Sequence, residues 1–170
     1  MNFSLKFKIF IRPYMRHIIR FFLFYFYDTY YVVGSSGKLK IGKNCGLANT
    51  FFNLSSGSII IGNNTIFSSN VMVLTGRHNF KNGMRASLNP GVIKKNIGGG
   101  AEEVPTSGYD IIIGNGSWIA AGTIITGGVK IGDNVIIGAN SLVTKDIPNN
   151  CFAAGIPAKI ISFHKLNYYD

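Results

Sequence analysis

The chain has 170 residues, 46% of them hydrophobic, and carries 17 Lys and Arg against 7 Asp and Glu, a formal net charge of +10. This length fits one domain, and the hydrophobic content excludes a disordered chain in spite of 21 glycines. The positive charge favours an anionic partner, such as a phosphate-rich cofactor or a membrane surface. Nucleic acid is not predicted as a partner, because we find no nucleic-acid-binding motif. Two cysteines do not make a disulfide framework, and they fit a reducing, cytoplasmic compartment.

Residues 1–33 are predicted to form a basic, aromatic helical segment. Arginines line one face of this helix and apolar residues share another: Arg12, Arg16 and Arg20, against Ile11, Tyr14, Ile18, Phe22 and Tyr25. Residues 1–27 carry no acidic side chain, so the helix could lie on the anionic inner face of a membrane. Equally, it could pack its aromatic side chains on the protein or on another subunit. The segment fits neither a secretory signal nor a bilayer span, since Arg20 interrupts the apolar run.

A repeat of six residues follows a linker at 34–40. An Ile or Val recurs at every sixth position, followed by a small residue that lets the backbone turn closely: Ile113, Ile119, Ile125, Ile131, Ile137 and Val143. This period fits neither an amphipathic helix nor an alternating strand, and it predicts a solenoid with a shared apolar core. The same rhythm runs over 41–78. There, two extra residues, Ile59 and Ile60, break the count and predict a bulge or short loop near 53–60.

Residues 79–110 do not keep the period and are predicted to form a long loop extruded from the solenoid. They contain two prolines and three successive glycines. Loops of this length are usually functional or mobile. After Pro148, a turn at Gly155-Ile156-Pro157 is predicted to close the solenoid, and a short strand or helix to cap it. Residues 163–170 form a tail.

The unbroken hexapeptide series resembles the hexapeptide-repeat acyltransferases. Together with Trp118-Ile119, VTKDIP at 143–148 and AAGIPAKII at 153–161, it is most similar to the maltose, galactoside and nodulation O-acetyltransferase branch. The resemblance spans residues 38–162. It implies an all-β left-handed parallel β-helix over 34–162, in which three units form one triangular coil. It also implies a homotrimer with active sites between adjacent subunits.

His78 is the candidate catalytic base. It ends the second coil, at the mouth of the predicted loop, and a neutral imidazole can take the proton of a sugar hydroxyl. From the residues alone, a surface histidine next to a loop is the favoured interpretation. The resemblance places His78 on the catalytic histidine of the family and implies direct acetyl transfer from acetyl-CoA. Near Trp118, it implies a pocket of backbone N–H groups for the oxyanion, although this Trp could instead pack at a trimer interface.

Coenzyme A is the implied acyl donor. The resemblance places Ala121 and Ala139 beside its pantetheine arm. It places Thr144, Lys145 and Lys159 near the phosphates, which positive side chains would bind. Lys159 stands where the family commonly has an arginine, so it keeps the charge but loses the bidentate fork. Without the resemblance, both lysines could simply form a solvated face.

Two further residues are assigned to the acceptor, Asn49 and Arg77. Asn49 is displaced by one position from an acceptor-contacting asparagine of the family, and Arg77 precedes the candidate base. No metal is predicted, because zinc enzymes of this coil architecture need three histidine ligands. Only His78 among the three histidines lies in the coils.

The sequence therefore predicts an acetyl-CoA-dependent sugar O-acetyltransferase acting on a bacterial surface polysaccharide, such as a capsule, lipopolysaccharide or O-antigen. We expect it in the cytoplasm, with peripheral contact to the membrane through residues 1–27. Two alternatives remain open at this point. One is N-acetylation of an amino-sugar nucleotide, and the other is a non-catalytic β-helix that scaffolds a glycan-assembly complex.

Overall fold

A computed structural model describes residues 14, 15, 18, 30–35, 38–81, 83–85 and 104–164. Before residue 30 it describes Tyr14, Met15 and Ile18, which have helical backbone and exposed side chains. The other residues before 30 in the predicted N-terminal helix, and most of the predicted loop, lie outside the described residues. Within the part that is described, no helix is long and apolar enough to cross a membrane.

From residue 31 onward, the described chain forms short strands joined by tight corners. In chain order the strands are β1 (Tyr31–Val33), β2 (Leu39–Ile41), β3 (Gly46–Leu47), β4 (Phe51–Asn53), β5 (Ile59–Ile61), β6 (Ile66–Phe67), β7 (Met72–Leu74), β8 (Phe80–Lys81), β9 (Met84–Arg85), β10 (Ile111–Ile113), β11 (Trp118–Ile119), β12 (Ile124–Thr126), β13 (Lys130–Ile131), β14 (Ile136–Ile137), β15 (Leu142–Val143), β16 (Cys151–Gly155) and β17 (Ala158–Phe163).

These strands stack into three sheets that form the sides of a triangular solenoid. Sheet A contains β1, β4, β7, β12 and β15; sheet B contains β2, β5, β10 and β13; sheet C contains β3, β6, β11, β14, β16 and β17. The chain passes through sheets B, C and A in turn, so the coils are β2–β4, β5–β7, β10–β12 and β13–β15. We call the corners the B–C, C–A and A–B edges, by the sheets that each joins.

The core is a column of aliphatic side chains inside this triangle. Each strand points one or two side chains inward and the next one outward, as the period of two in a strand requires. The six predicted core positions are all fully buried: Ile113, Ile119, Ile125, Ile131, Ile137 and Val143. In the last two complete coils the repeat is regular, since Ile112 pairs with Lys130 and Trp118 with Ile136. One coil therefore takes 18 residues there, three hexapeptide units.

The corners depend on Asn and Gly in the left-handed backbone region, where asparagine and glycine are the least costly residues. Positive φ angles recur at the B–C edge in Asn44, Asn64, Gly116, Asn134 and Asn150, and at the C–A edge in Asn49, Asn70, Gly122 and Asn140. These are the fourth places counted from the inward-facing residue that begins each unit, except that Asn49 is third in its shorter unit. The small second residue, which the sequence suggested as the turning point, is instead required by the close contact between successive coils.

Side chains in the fifth place tie neighbouring coils together at the B–C edge. The Thr65 hydroxyl donates to the Gly114 carbonyl at 2.7 Å, and the Ser117 hydroxyl donates to the Gly132 carbonyl at 3.0 Å. Cys45 occupies the same place in the first coil, and its thiol lies 3.1 Å from the Gly62 carbonyl. The sulfur is therefore part of the packing between coils.

The first coil departs from the regular pattern at two corners. Leu39 and Ile59 pair, as do Ile41 and Ile61, so this coil takes 20 residues. The prediction that Ile59 and Ile60 are the extra residues is wrong, because they belong to β5 and pair with β10. The extra residues lie in the corner at 54–58, within the range predicted for a bulge. The corner after β3 is one residue shorter, and the buried Thr50 hydroxyl there has no hydrogen-bond partner.

Both ends of the solenoid, and the start of the predicted loop, contain additional strands. β1 pairs in parallel with β4, so the solenoid begins inside the segment predicted to be helical. β8 and β9 form an antiparallel hairpin within the region predicted as loop. At the other end β17 folds back antiparallel on β16 through a turn at Ile156-Pro157, whose peptide bond is cis. The predicted closing turn and its capping strand are confirmed.

The two thiols should differ in reactivity. Cys151 is fully buried, and this burial raises the pKa of its thiol above the ordinary value of 9.0, because a thiolate would be poorly solvated. We expect a thiol reagent at pH 8 to leave Cys151 unmodified until urea unfolds the chain, which Cys45→Ala protein tests with one thiol remaining. Because the folded state holds this proton more tightly, we also expect stability to fall as pH rises above 9.0. Rapid modification of native Cys45→Ala protein would contradict the assignment.

Candidate functional site

The candidate base lies at the A–B edge of the second coil, just after β7. There the buried Thr75 hydroxyl donates to the Asn53 carbonyl at 2.8 Å and accepts the Ser56 N–H at 3.1 Å. The Arg77 N–H donates to the Ser56 hydroxyl at 3.2 Å. These bonds fix the backbone up to residue 77 against the first coil. His78 follows with an exposed side chain, at the position from which the chain leaves the solenoid.

Tyr109 marks the point where the chain returns to the solenoid beside this corner. Its N–H donates to the Ser56 carbonyl at 3.2 Å. The guanidinium carbon of Arg77 lies 5.4 Å from the centroid of the Tyr109 ring, which is a cation–π distance. The sequence reasoning missed both Tyr109 and Ser56. The signal for them was weak, since each lies where the six-residue period is interrupted.

Trp118 lies elsewhere, on the outer face of sheet C. It is 48% exposed, between Ile66 and Ile136 of the neighbouring coils. Its indole N–H donates to the Ser68 hydroxyl at 3.1 Å. This contact, which the sequence did not reveal, sets the orientation of the ring.

Trp118 is the single tryptophan, so its fluorescence can test this orientation. We expect Ser68→Ala to lower the anisotropy of the indole emission, because the ring loses its hydrogen bond and gains rotational freedom. Ser69→Ala is the matched control, since the Ser69 carbonyl, and not its side chain, bonds to the next coil. Equal anisotropy in both variants would show that packing alone orients the ring.

The positions predicted for the pantetheine arm lie along the C–A edge. Ala121 and Ala139 occupy equivalent places one coil apart, joined by the Asn140 N–H, which donates to the Ala121 carbonyl at 2.9 Å. Both alanines are exposed. Their methyl groups leave the backbone of this edge open to an extended ligand.

The positions predicted for the phosphates do not share one edge. Thr144 and Lys145 follow β15 at the A–B edge of the fourth coil. Lys159 lies on β17 and pairs with Ala154, beyond the C–A edge of that coil. All three predicted side chains are exposed.

Asn49 lies at the C–A edge of the first coil, where its φ of 52° makes it the corner residue. The shorter corner explains its displacement by one position. Its conformation gives it a structural reason to be an asparagine, and a role toward an acceptor stays a prediction.

Within one chain, the predicted site residues therefore form two groups. Arg77, His78, Thr144 and Lys145 lie along the A–B edge, whereas the alanines, Lys159 and Asn49 lie along the C–A edge, across sheet A. Among the described residues, no three His, Cys, Asp or Glu side chains are placed to hold a metal ion together.

Comparison with known proteins matches these features. Residues 110–145 match the family model described as bacterial transferase hexapeptide (six repeats). The chain is 55% identical over 53 residues to galactoside O-acetyltransferase of Escherichia coli (strain K12), covering 31% of this chain and 26% of the relative. It is 33% identical over 105 residues to WbbJ of the same organism, a protein named for O-acetyl transfer in lipopolysaccharide biosynthesis, covering 61% and 50%.

A solved structure of galactoside acetyltransferase in complex with coenzyme A has the same fold. It matches with a TM-score of 0.57 and 33% identity, covering 80% of this chain and 60% of that one. The chain thus spans less than two thirds of the length of each of these relatives.

The fold and the edges described above define a parallel β-solenoid built from hexapeptide coils. With these matches, the predicted fold class, a left-handed parallel β-helix, is confirmed for the described coils. Over these coils the chain is similar to hexapeptide-repeat transferases, among them galactoside and maltose O-acetyltransferases.

Proposed function

We propose that this protein transfers an acetyl group from acetyl-CoA to a hydroxyl of a sugar. The observation that carries the proposal is His78, exposed at the A–B edge of a coil stack that matches coenzyme A-binding galactoside acetyltransferase. An imidazole that solvent can reach, on a backbone fixed by the Ser56 and Thr75 hydrogen bonds, is suited to take a proton from a bound acceptor.

The proposed reaction is a direct transfer. The acceptor oxygen attacks the thioester carbonyl carbon of acetyl-CoA while His78 removes the hydroxyl proton. The tetrahedral intermediate then expels the sulfur, the carbon–sulfur bond breaks, and the imidazolium returns the proton to the thiolate. The products are the acetyl ester and free coenzyme A. No nucleophilic side chain is needed, which agrees with the packing roles of Cys45 and Cys151.

The oxyanion of the intermediate requires hydrogen-bond donors. Trp118 is our candidate segment for this pocket through its indole N–H, which would have to leave the Ser68 hydroxyl, because its backbone N–H already donates to the Val135 carbonyl at 2.8 Å. Coenzyme A would extend along the open C–A edge past Ala121 and Ala139. Its phosphates would then bind Lys159, which belongs to the C–A edge, and Thr144 and Lys145, which belong to the A–B edge.

This arrangement requires two copies of the chain. His78 belongs to the A–B edge, whereas the pantetheine positions belong to the C–A edge, and sheet A separates them in one chain. We propose a homotrimer in which the A–B edge of one subunit faces the C–A edge of the next. The outer faces supply apolar surface for such contacts, because Met72, Ile112 and Ile66 are exposed on sheets A, B and C.

We place the acceptor in a bacterial surface glycan. WbbJ, which the chain resembles over 61% of its length, is named for lipopolysaccharide biosynthesis. The proposed site of action is the cytoplasm, which supplies acetyl-CoA and keeps the two free cysteines reduced. Contact of residues 1–27 with the inner face of the membrane belongs to this proposal, since it would bring the enzyme to lipid-linked acceptors.

The experiment that tests the proposed function measures coenzyme A release, as free thiol, against a panel of sugars, nucleotide sugars and glycan extracts. Mass spectrometry of the products separates O-acetyl from N-acetyl transfer. Acceptor-dependent release with an acetyl ester as product is the expected result. A protein that neither binds coenzyme A nor releases thiol with any acceptor would favour a non-catalytic scaffold.

A further inference from the structure

We propose that the acceptor of this site carries a negative charge beside the reacting hydroxyl. In this proposal Arg77 binds that charge, and Tyr109 is the positioning residue that holds Arg77 in place. The inference rests on the proposed function, because it names the acceptor class of the same site. The shared chemistry is an anionic oxygen group, either a sugar carboxylate or a phosphate ester.

Arg77 is placed to recognise such a group. It directly precedes His78 at the A–B edge, and both side chains are exposed there. Its guanidinium carbon lies over the ring of Tyr109, 5.4 Å from the ring centroid. The planar group still presents N–H donors at its edge, and these match carboxylate and phosphate oxygens in bidentate geometry.

Tyr109 is itself held firmly by backbone contacts. Its N–H bonds to the Ser56 carbonyl, while the Arg77 N–H bonds to the hydroxyl of the same serine. Its backbone also passes between two glycines of neighbouring coils. A methyl group at Gly57 would lie 2.6 Å from the Tyr109 carbonyl carbon, and one at Gly127 would lie 2.8 Å from the Tyr109 Cβ. Only glycine therefore fits at these two positions.

The rigidity of this corner affects binding. A free arginine side chain loses rotamer freedom when it binds a ligand, which costs affinity. Stacking on a fixed ring restricts the arginine before the ligand arrives, so less is lost on binding. The extra residues at 54–58, which break the regular coil, are the ones that supply Ser56. The irregular corner thus builds the support for Arg77.

The aspartates that the structure describes accept hydrogen bonds from backbone N–H groups of the coil stack. Asp110 accepts the Ser58 N–H at 2.6 Å, Asp133 accepts the Asn115 N–H at 2.6 Å, and Asp146 accepts the Lys130 N–H at 2.8 Å. Each of these carboxylates satisfies a backbone donor within the coil stack. The net charge of +10 then adds a field that attracts anions.

The test compares matched acceptors at fixed ionic strength: glucose, glucuronate and glucose 6-phosphate. For wild-type protein we expect kcat/KM to be about ten- to a hundredfold higher for an anionic acceptor, the range of a charge-assisted hydrogen bond. The carboxylate and phosphate arms show which group is preferred. Arg77→Gln should remove the preference through KM, so that kcat/KM for glucuronate and glucose 6-phosphate falls to the value that the same variant gives for glucose.

Variants of Tyr109 separate positioning from folding. Tyr109→Phe keeps the ring and should keep the preference, whereas Tyr109→Leu should raise KM for the anionic acceptor more than KM for glucose, both measured with that variant. Unchanged coenzyme A binding and thermal midpoint in each variant show that the coils are intact. Equal use of all three acceptors by wild type, or the same preference in Arg77→Gln, would overturn the inference while transfer itself stands.

Calorimetric titration with the same three sugars separates this inference from the proposed function. If no sugar is acetylated, tighter binding of glucuronate or glucose 6-phosphate that Arg77→Gln abolishes still supports recognition of charge. Binding that does not depend on acceptor charge overturns it.

Discussion

Replacing His78 with alanine is expected to lower kcat for acetyl transfer by about 10²- to 10⁴-fold, the usual contribution of a general base. Without the imidazole, the acceptor hydroxyl must attack while it still carries its proton. Binding of coenzyme A should be unchanged, because the residues assigned to its arm and phosphates lie at other positions along the edges. The measurement is free-thiol release with the best acceptor of the panel, beside a direct coenzyme A titration followed by Trp118 fluorescence.

Two controls make this result specific for base catalysis. Added imidazole should restore part of the activity of His78→Ala protein, since a small base can enter the space left by the side chain. His164→Ala should keep full activity, because His164 lies at the end of β17 and its N–H bonds to Asn150. Full activity in His78→Ala protein would exclude His78 as the base. Activity lost together with coenzyme A binding would assign it to the binding site instead.

The regular part of the fold could be predicted from the sequence because one residue type recurs for one physical reason. Ile119 and Ile137 are six-residue repeat positions, and each is fully buried in a column that only stacked coils can form. The second residue of the unit was correctly noted as small, but for a different reason. Gly114 is small because the next coil passes against it, whereas Gly116 beside it adopts the positive φ.

The irregular parts of the fold could not be predicted from the six-residue period. Ile59 and Ile60, which belong to β5, looked like an insertion, because counting in sixes gives no information about where the chain adds residues. The corner at 54–58 accommodates the extra length, since a corner can lengthen without disturbing the paired strands. The sequence analysis missed Tyr109 for the same reason. Its contact with Arg77 depends on where the chain returns to the solenoid after the interruption of the repeat.

The sequence could predict which residues belong to the candidate site, but not how the fold arranges them. His78 and Trp118 are both prominent in the sequence, yet one follows sheet A and the other belongs to sheet C. The edge that a residue occupies can be inferred from the sequence only after each strand has been assigned to a coil and a sheet. Because sheet A separates the two groups, the proposed chemistry needs a second copy of the chain, which the proposed homotrimer would supply.

The second large effect concerns the coil stack itself. Gly114→Ala is expected to destabilise the protein by about 3 kcal/mol, the upper part of the usual range for overpacking, or by more. A methyl group at this position would lie 2.5 Å from the Gly132 carbonyl carbon and oxygen and from an Asp133 carboxylate oxygen. The first two are backbone atoms of the next coil and cannot rotate away. The strain would also reach the bonds from Thr65 to Gly114 and from Asn115 to Asp133.

Gly46→Ala is the matched control for this substitution. Gly46 begins β3, directly after the B–C edge on which Gly114 lies. The nearest atom to a methyl group added at Gly46 is the Ile66 Cγ2, at 3.8 Å. Because its φ is not positive, alanine should be neutral there or stabilise by up to about 1 kcal/mol through the unfolded chain. Urea unfolding of both variants, at one protein concentration, measures the difference. Equal unfolding midpoints would show that the coils can move apart at Gly114 to admit the methyl group. Contact between the coil backbones would then not be the reason that the second residue of the repeat is small.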